Sequence, residues 1–135
     1  MKKLYPASKI YVAQSKIKNG GRGVFASQNI KKGEIIEVCS LIIVPKNDLS
    51  NLRESILVTY FFYFGKKKER LAVVLGFGSL YNHSYTPNAI YKIKHTENTM
   101  NFIASSDIKK DSEITFNYKY GNPKNKSPLW FEVAG

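Results

Sequence analysis

A polar cluster stands out in the segment LGFGSLYNHSYTPNAIY, residues 75–91, which holds one of the two histidines of the chain. Asn82, His83 and Ser84 are adjacent, and Pro87 and Asn88 follow shortly after. Amide, imidazole and hydroxyl groups supply hydrogen-bond donors and acceptors at close spacing. Two interpretations follow: the cluster binds a polar ligand, or it satisfies a crowded, irregular backbone. For the His83 ring alone, a structural role is the more common one.

Other catalytic and metal chemistries have little support. No nucleophile elbow surrounds Ser84 or Cys39, and the Gly-Arg-Gly at 21–23 lacks the spacing of a phosphate-binding loop. The ten acidic residues are scattered through predicted turns. One cysteine and two histidines allow neither a disulfide framework nor a cysteine-cluster zinc site, so we expect no metal. A single cysteine favours a reducing, intracellular setting.

Length and charge limit the architecture and the partners. We expect 135 residues, 43% of them hydrophobic, to form a single domain over 1–135. The net charge of +11 favours acidic partners such as nucleic acid or chromatin, or is simply a solvated basic surface. No apolar run approaches the roughly 18 residues of a membrane span. We therefore predict a soluble protein with no membrane partner.

Eight short runs have the β-branched and aromatic composition of strands. They are residues 9–15, 23–27, 34–44, 58–64, 71–76, 89–94, 100–106 and 113–118. Only NDLSNLRESIL, residues 47–57, has a helical pattern, with Asp48 or Ser50 as its cap. NIKKGEII (29–36) and DIKKDSEI (107–114) look alike and are interpreted as two similar turns. The composition predicts a mainly β fold with little helix.

Three segments in order resemble the SET domain of protein-lysine methyltransferases. GGRGVFASQNIKKGEII is similar to the family's opening Gly-x-Gly segment, and FGSLYNHSYTPNA to its Asn-His-Ser…Pro-Asn motif. IASSDIKKDSEITFNY resembles the closing Glu-(Leu/Ile)-Thr-Phe-x-Tyr motif. The resemblance covers about residues 9–134. It implies a fold of short-stranded sheets with a C-terminal pseudoknot, and a compact, zinc-free enzyme that transfers methyl groups from S-adenosylmethionine to lysine.

The resemblance also implies a site for S-adenosylmethionine. Asn82 would bind the amino-acid part of the cofactor, and the backbone at His83 would bind the adenine edge. In the closing segment 121–135, Trp130 would stack on adenine. The implied cofactor-binding residues are Gly21, Arg22, Gly23, Val24, Asn82, His83, Tyr118 and Trp130.

Tyr118 corresponds to the family's catalytic tyrosine, and Tyr60 to a second aromatic residue at the reaction centre. The alternative for Tyr60 is a core strand residue. Tyr60, Tyr91 and Phe116 would line the substrate-lysine channel. Tyr91 favours monomethyl-lysine as the product whereas Phe116 favours a roomier channel, and we lean towards monomethylation.

The implied partner is a protein with a target lysine, such as a histone tail or a ribosomal protein. Nucleosomal DNA or RNA could engage the positive charge, and Asp107, Asp111, Glu113 and Glu97 are candidates for an acidic groove that accepts a basic tail. A homodimer that completes the substrate groove is a further hypothesis. Two other functions stay open: a non-catalytic SET-like scaffold, and an unrelated basic β-domain that binds nucleic acid.

Overall fold

Short strands dominate the computed structural model, which describes residues 3–64 and 70–118. In that part of the chain one short helix, α1, spans Leu49–Arg53. The nine strands are β1 Ile10–Gln14, β2 Arg22–Ala26, β3 Ile35–Val44, β4 Phe61–Phe64, β5 Arg70–Val74, β6 Asn82–His83, β7 Ala89–Lys94, β8 Thr99–Ala104 and β9 Glu113–Phe116. Eight of them overlap the predicted runs to within one residue, which confirms the mainly β fold. The exception is β6, because two polar residues carry no strand pattern.

The predicted helix is broken into three short pieces. Turns of 3₁₀ helix at Lys46–Asp48 and Ile56–Thr59 flank α1, and Ser55 caps the second of them by accepting from the Leu57 backbone N–H. Asp48 stands at the N-cap of α1 but makes no side-chain cap bond. Because a 3₁₀ turn has a different period from an α-helix, the expected apolar face is not continuous. Ile56 is accordingly 78% exposed.

Two sheets form the fold. One has the strand order β1-β2-β9-β6 and the other β4-β5-β3-β8-β7. The pair β6–β9 is parallel, with Asn82 opposite Thr115 and His83 opposite Phe116, and the remaining pairs are antiparallel. The polar cluster of the sequence is therefore held directly beside the closing motif.

Asn88 reinforces this junction from the side. Its Oδ1 accepts from the Thr115 backbone N–H at 2.9 Å, and its Nδ2 donates to the Glu113 carbonyl at 3.0 Å. The Asn88 amide thus acts like a neighbouring strand, because it satisfies one backbone N–H and one backbone carbonyl of β9. This accounts for the Pro-Asn pair as a structural feature.

The core contains one buried carboxylate among apolar side chains. Glu37 is 6% exposed and accepts from the Tyr81 hydroxyl at 2.8 Å and from the Phe77 backbone N–H at 2.9 Å. The Tyr81 ring stacks on Phe102, with 4.4 Å between the ring centroids. Burial, with Glu37 beside it, raises the pKa of the Cys39 thiol. Cys39 therefore stays a neutral core residue.

The two similar turns of the sequence pair with each other. Ile30 and Ile108 exchange two backbone hydrogen bonds, of 2.8 and 2.7 Å. On one side the Lys32 backbone N–H donates to Asp107 Oδ1, and on the other the Lys110 backbone N–H donates to Asn29 Oδ1. The arrangement is a local two-fold symmetry.

The symmetry extends to both flanks of the turns. Gly33 donates its backbone N–H to the Ala104 carbonyl, and Asp111 donates to the Ala26 carbonyl in the same way. Both residues have positive φ, 91° and 69°. The paired turns bring the end of β2 next to the start of β9. As a result, β9 lies between β2 and β6 in the sheet.

Candidate active site

Asn82 lies where β6, β9 and the start of β2 meet. Its Nδ2 donates to the Arg22 carbonyl at 3.1 Å and to Glu113 Oε2 at 2.9 Å. Both amide protons of Asn82 are thereby used. Among the described residues, no group donates a hydrogen bond to its Oδ1. A free amide oxygen accepts hydrogen bonds, so this atom suits a donor such as an ammonium group.

Gly23 is packed against the same two side chains. A Cβ built on it would lie 2.4 Å from Glu113 Oε2 and 3.1 Å from Asn82 Nδ2. Gly21 differs, because it has a φ of +62° and no heavy atom within 4 Å of the Cβ position. The first glycine therefore permits a left-handed backbone, and the second permits close approach.

The His83 ring ties β6 to the residues that follow β9. Its Nδ1 accepts from the Tyr118 backbone N–H at 3.0 Å, so the proton of the neutral ring is on Nε2. Nε2 is buried and has no hydrogen-bond partner in the described part of the chain. Burial lowers the pKa of His83, which keeps the ring neutral at pH 7. The structural interpretation of this ring is supported.

Tyr118 has its hydroxyl in a fixed orientation. The hydroxyl donates to the Tyr81 carbonyl at 2.7 Å. Burial, and next the proximity of Tyr60, raise the pKa of Tyr118. The hydroxyl thus stays protonated at neutral pH, which makes it a hydrogen-bonding group rather than a general base.

An aromatic cluster extends from Tyr118 through Phe116 to Phe62 and Tyr91. Phe62 stacks on Phe116 at 5.7 Å and meets Tyr91 edge-on at 5.2 Å. Tyr91 meets Phe116 edge-on at 5.6 Å, and Phe116 contacts Tyr118 at 5.2 Å. The predicted channel residues Tyr91 and Phe116 are thus brought together. Phe62, to which the sequence assigned no role, joins them.

Tyr60 lies at the C-terminal end of the 3₁₀ turn rather than in β4. It is 37% exposed, so the alternative of a core strand residue is wrong. Tyr60 also contributes to raising the pKa of Tyr118, after burial.

The remaining predicted residues fall into two groups. Val24 is fully buried in the core and the Arg22 side chain is exposed, whereas the Arg22 carbonyl accepts from Asn82. Trp130 and the closing segment 121–135 lie outside the described residues. Within the described ranges, no three His, Cys, Asp or Glu side chains are grouped so as to hold a metal ion, and no helix is long and apolar enough to cross a membrane.

Comparison with known families decides what this junction belongs to. Residues 21–119, the span from the opening glycines to just past Tyr118, match the family model of the SET domain. The chain belongs to the SET-domain family. Membership confirms the resemblance and excludes the unrelated nucleic-acid-binding β-domain.

The SET domain is similar to proteins that are described as histone methyltransferases. A curated relative from Schizosaccharomyces pombe, the histone-lysine N-methyltransferase specific for H3 lysine-37, is 29% identical over 83% of this chain and 71% of its own. The crystal structure of a candidate histone methyltransferase from Plasmodium falciparum is 35% identical, with a TM-score of 0.62, over 84% of this chain and 95% of its own. The Chaetomium thermophilum Polycomb Repressive Complex 2, solved bound to S-adenosylmethionine, is 25% identical with a TM-score of 0.71, over 87% of this chain and 16% of that one.

One residue of this SET domain was missed as part of the site. Glu113 contacts Asn82 and lies against Gly23. From the sequence, Glu113 was assigned only to the closing motif and, together with three other acids, to a hypothetical acidic groove.

Proposed function

We propose that this SET domain is a protein-lysine N-methyltransferase that uses S-adenosylmethionine, with its site at the junction of β2, β6 and β9. The observation that carries the proposal is the convergence of three motifs distant in sequence. Gly23, Asn82 and Tyr118 are linked through Arg22, Glu113 and His83 by direct contacts.

The residues present fit the cofactor. Gly23 allows Glu113 and Asn82 to lie close to the backbone of β2, and Asn82 Oδ1 can accept from an ammonium group. We propose that Asn82 and the backbone of 21–24 bind the amino-acid part, with the His83 backbone and Trp130 at the adenine. When bound, S-adenosylmethionine supplies a methyl group on a positively charged sulfur.

The chain must deliver a neutral lysine amine to that methyl group. A lysine titrates near 10.4 in water, and an apolar channel lowers its pKa by desolvation. We propose that Tyr60 and the aromatic cluster form that channel. We propose that the Tyr118 hydroxyl, held in place by its hydrogen bond to the Tyr81 carbonyl, orients the amine. Positioning of this kind lowers the activation free energy by several kcal/mol.

The product is proposed to be monomethyl-lysine. Tyr91 meets both Phe62 and Phe116 edge-on, which fixes the ring at the wall of the cluster. A fixed hydroxyl there restricts rotation of a methylated amine more directly than Phe116 widens the channel.

A histone is the proposed substrate class, since the Schizosaccharomyces pombe relative is specific for a histone H3 lysine. An intracellular location is proposed with it. The acidic groove of Asp107, Asp111, Glu113 and Glu97 stays a hypothesis. Asp107 accepts from the Lys32 backbone, Asp111 from the Tyr11 hydroxyl, and Glu113 faces Asn82. We also propose that the +11 charge acts on nucleosomal DNA or RNA beside the target. The homodimer remains a hypothesis.

Calorimetric binding of S-adenosylhomocysteine tests the proposal. We expect the unmodified chain to bind and Asn82→Ala to lose binding while keeping its thermal unfolding transition. A labelled-methyl assay on histone octamers, nucleosomes and ribosomal proteins then identifies the substrate. No binding at millimolar ligand would refute the enzyme and favour the non-catalytic scaffold.

A further inference from the structure

The Glu113 carboxylate accepts hydrogen bonds from three donors in two separate parts of the chain. Ser15 Oγ lies 2.9 Å from both carboxylate oxygens, the Lys16 backbone N–H donates at 3.1 Å, and Asn82 Nδ2 donates at 2.9 Å. No cationic side chain forms an ion pair with it in the described part of the chain. Three neutral donors therefore converge on one ionised group.

An ionised carboxylate has acceptors only, and this dictates the orientation of the amide opposite it. Asn82 must turn Nδ2 towards Glu113, and the same nitrogen reaches the Arg22 carbonyl, which is also an acceptor only. With both partners accepting, the flipped amide would bring Oδ1 against two oxygens. We infer that Glu113 is a positioning residue that holds the Asn82 amide with its oxygen directed to the ligand.

The consequence for binding rests on the proposed function. If the site holds the cationic amine of the cofactor, the orientation set by Glu113 presents an acceptor rather than a donor to it. The negative charge of Glu113 also favours a cationic ligand in a partly buried site. Removing this charge while keeping the side-chain shape should weaken ligand binding and release the Asn82 amide from its fixed orientation.

Glu113→Gln is the variant of choice, because it keeps the volume and places an amide among the same donors. Glu113→Ala would instead release Ser15 and Lys16 and so disturb the loop before β2. Asp111→Asn is the matched control. It removes one negative charge two residues away, from an exposed side chain that contacts Tyr11, and asparagine tolerates its φ of +69°.

The first measurement needs no ligand. In the unliganded chain, side-chain amide NMR follows the exchange of the Asn82 Nδ2 protons, assigned by their absence in Asn82→Ala. We expect slow exchange in the unmodified chain and in Asp111→Asn, and exchange at least about tenfold faster in Glu113→Gln, since a hydrogen bond to a charged acceptor is lost. Equal exchange in all three proteins would overturn the inference.

The second measurement is calorimetric affinity for S-adenosylhomocysteine. We expect at least about tenfold weaker binding for Glu113→Gln and an unchanged affinity for Asp111→Asn. An affinity within twofold of the unmodified chain for Glu113→Gln would contradict the inference. If the unmodified chain does not bind, the proposed function fails, and the exchange rates still decide the role of Glu113.

Discussion

The close approach at Gly23 leads to a quantitative prediction for Gly23→Ala. Gly23 has no positive φ, so alanine fits the backbone, and the whole effect comes from its methyl group. That group would lie 2.4 Å from Glu113 Oε2, whereas ordinary contact begins at 3.4 Å, so the carboxylate must retreat by about 1 Å. Such a shift breaks the 2.9 Å bond between Asn82 and Glu113.

The size of the effect follows from that bond. A hydrogen bond to a charged group contributes about 1.5–3 kcal/mol, so affinity for S-adenosylhomocysteine should fall about 10- to 100-fold. Overpacking at a sheet position should lower the free energy of unfolding by about 1–3 kcal/mol. Calorimetry measures the first quantity and urea unfolding the second.

Gly21→Ala provides the contrast. Its Cβ meets nothing within 4 Å, but its φ of +62° strains an alanine by about 1 kcal/mol or more. We expect a loss of stability of about that size in urea unfolding, and any change in affinity then reflects the strained backbone of 21–24 rather than the bond between Asn82 and Glu113. Equal affinities for Gly23→Ala and the unmodified chain would refute the reasoning from close approach.

Three further predictions concern other parts of the site and core. Tyr118→Phe should keep its affinity for S-adenosylhomocysteine but slow single-turnover methyl transfer at least about a hundredfold, since the amine loses its orienting group; an unimpaired rate would contradict the assigned role. The pKa of His83 is lowered in the folded chain, so the unfolded chain takes up protons first as the pH falls below 6.5, and the free energy of unfolding should decrease there. His83→Gln should show a shallower decrease in urea unfolding between pH 7 and 5, and an identical pH slope would rule the explanation out. Glu37→Ala leaves the buried Tyr81 hydroxyl and Phe77 N–H without an acceptor and should lower the free energy of unfolding by at least about 2 kcal/mol, more than Tyr81→Phe does; the reverse order in urea unfolding would count against it.

Local sequence patterns were enough to predict most of the strands, but they did not predict the contacts that form the site. Alternation and β-branched composition located eight strands, because those signals arise within a few residues. The bond from Ser15 to Glu113 spans 98 residues, and no periodicity reports such a contact. The motifs placed Tyr118 and Asn82 correctly at one junction. The hydrogen-bond partners that orient them, and the stacking of Phe62, depend on how the sheets pack.

The late position of β9 in the chain has a consequence for the order of assembly. β9 pairs with β2, near the beginning of the chain, and with β6, so it closes the longest loop in the described part of the fold. Loop-closure entropy must be overcome before such contacts stabilise the chain, and folding is correspondingly slow. Glu113 and Tyr118 belong to this last strand and its end. A nascent or partly folded chain therefore has no complete site, and a ligand that binds the completed one favours the fully assembled fold.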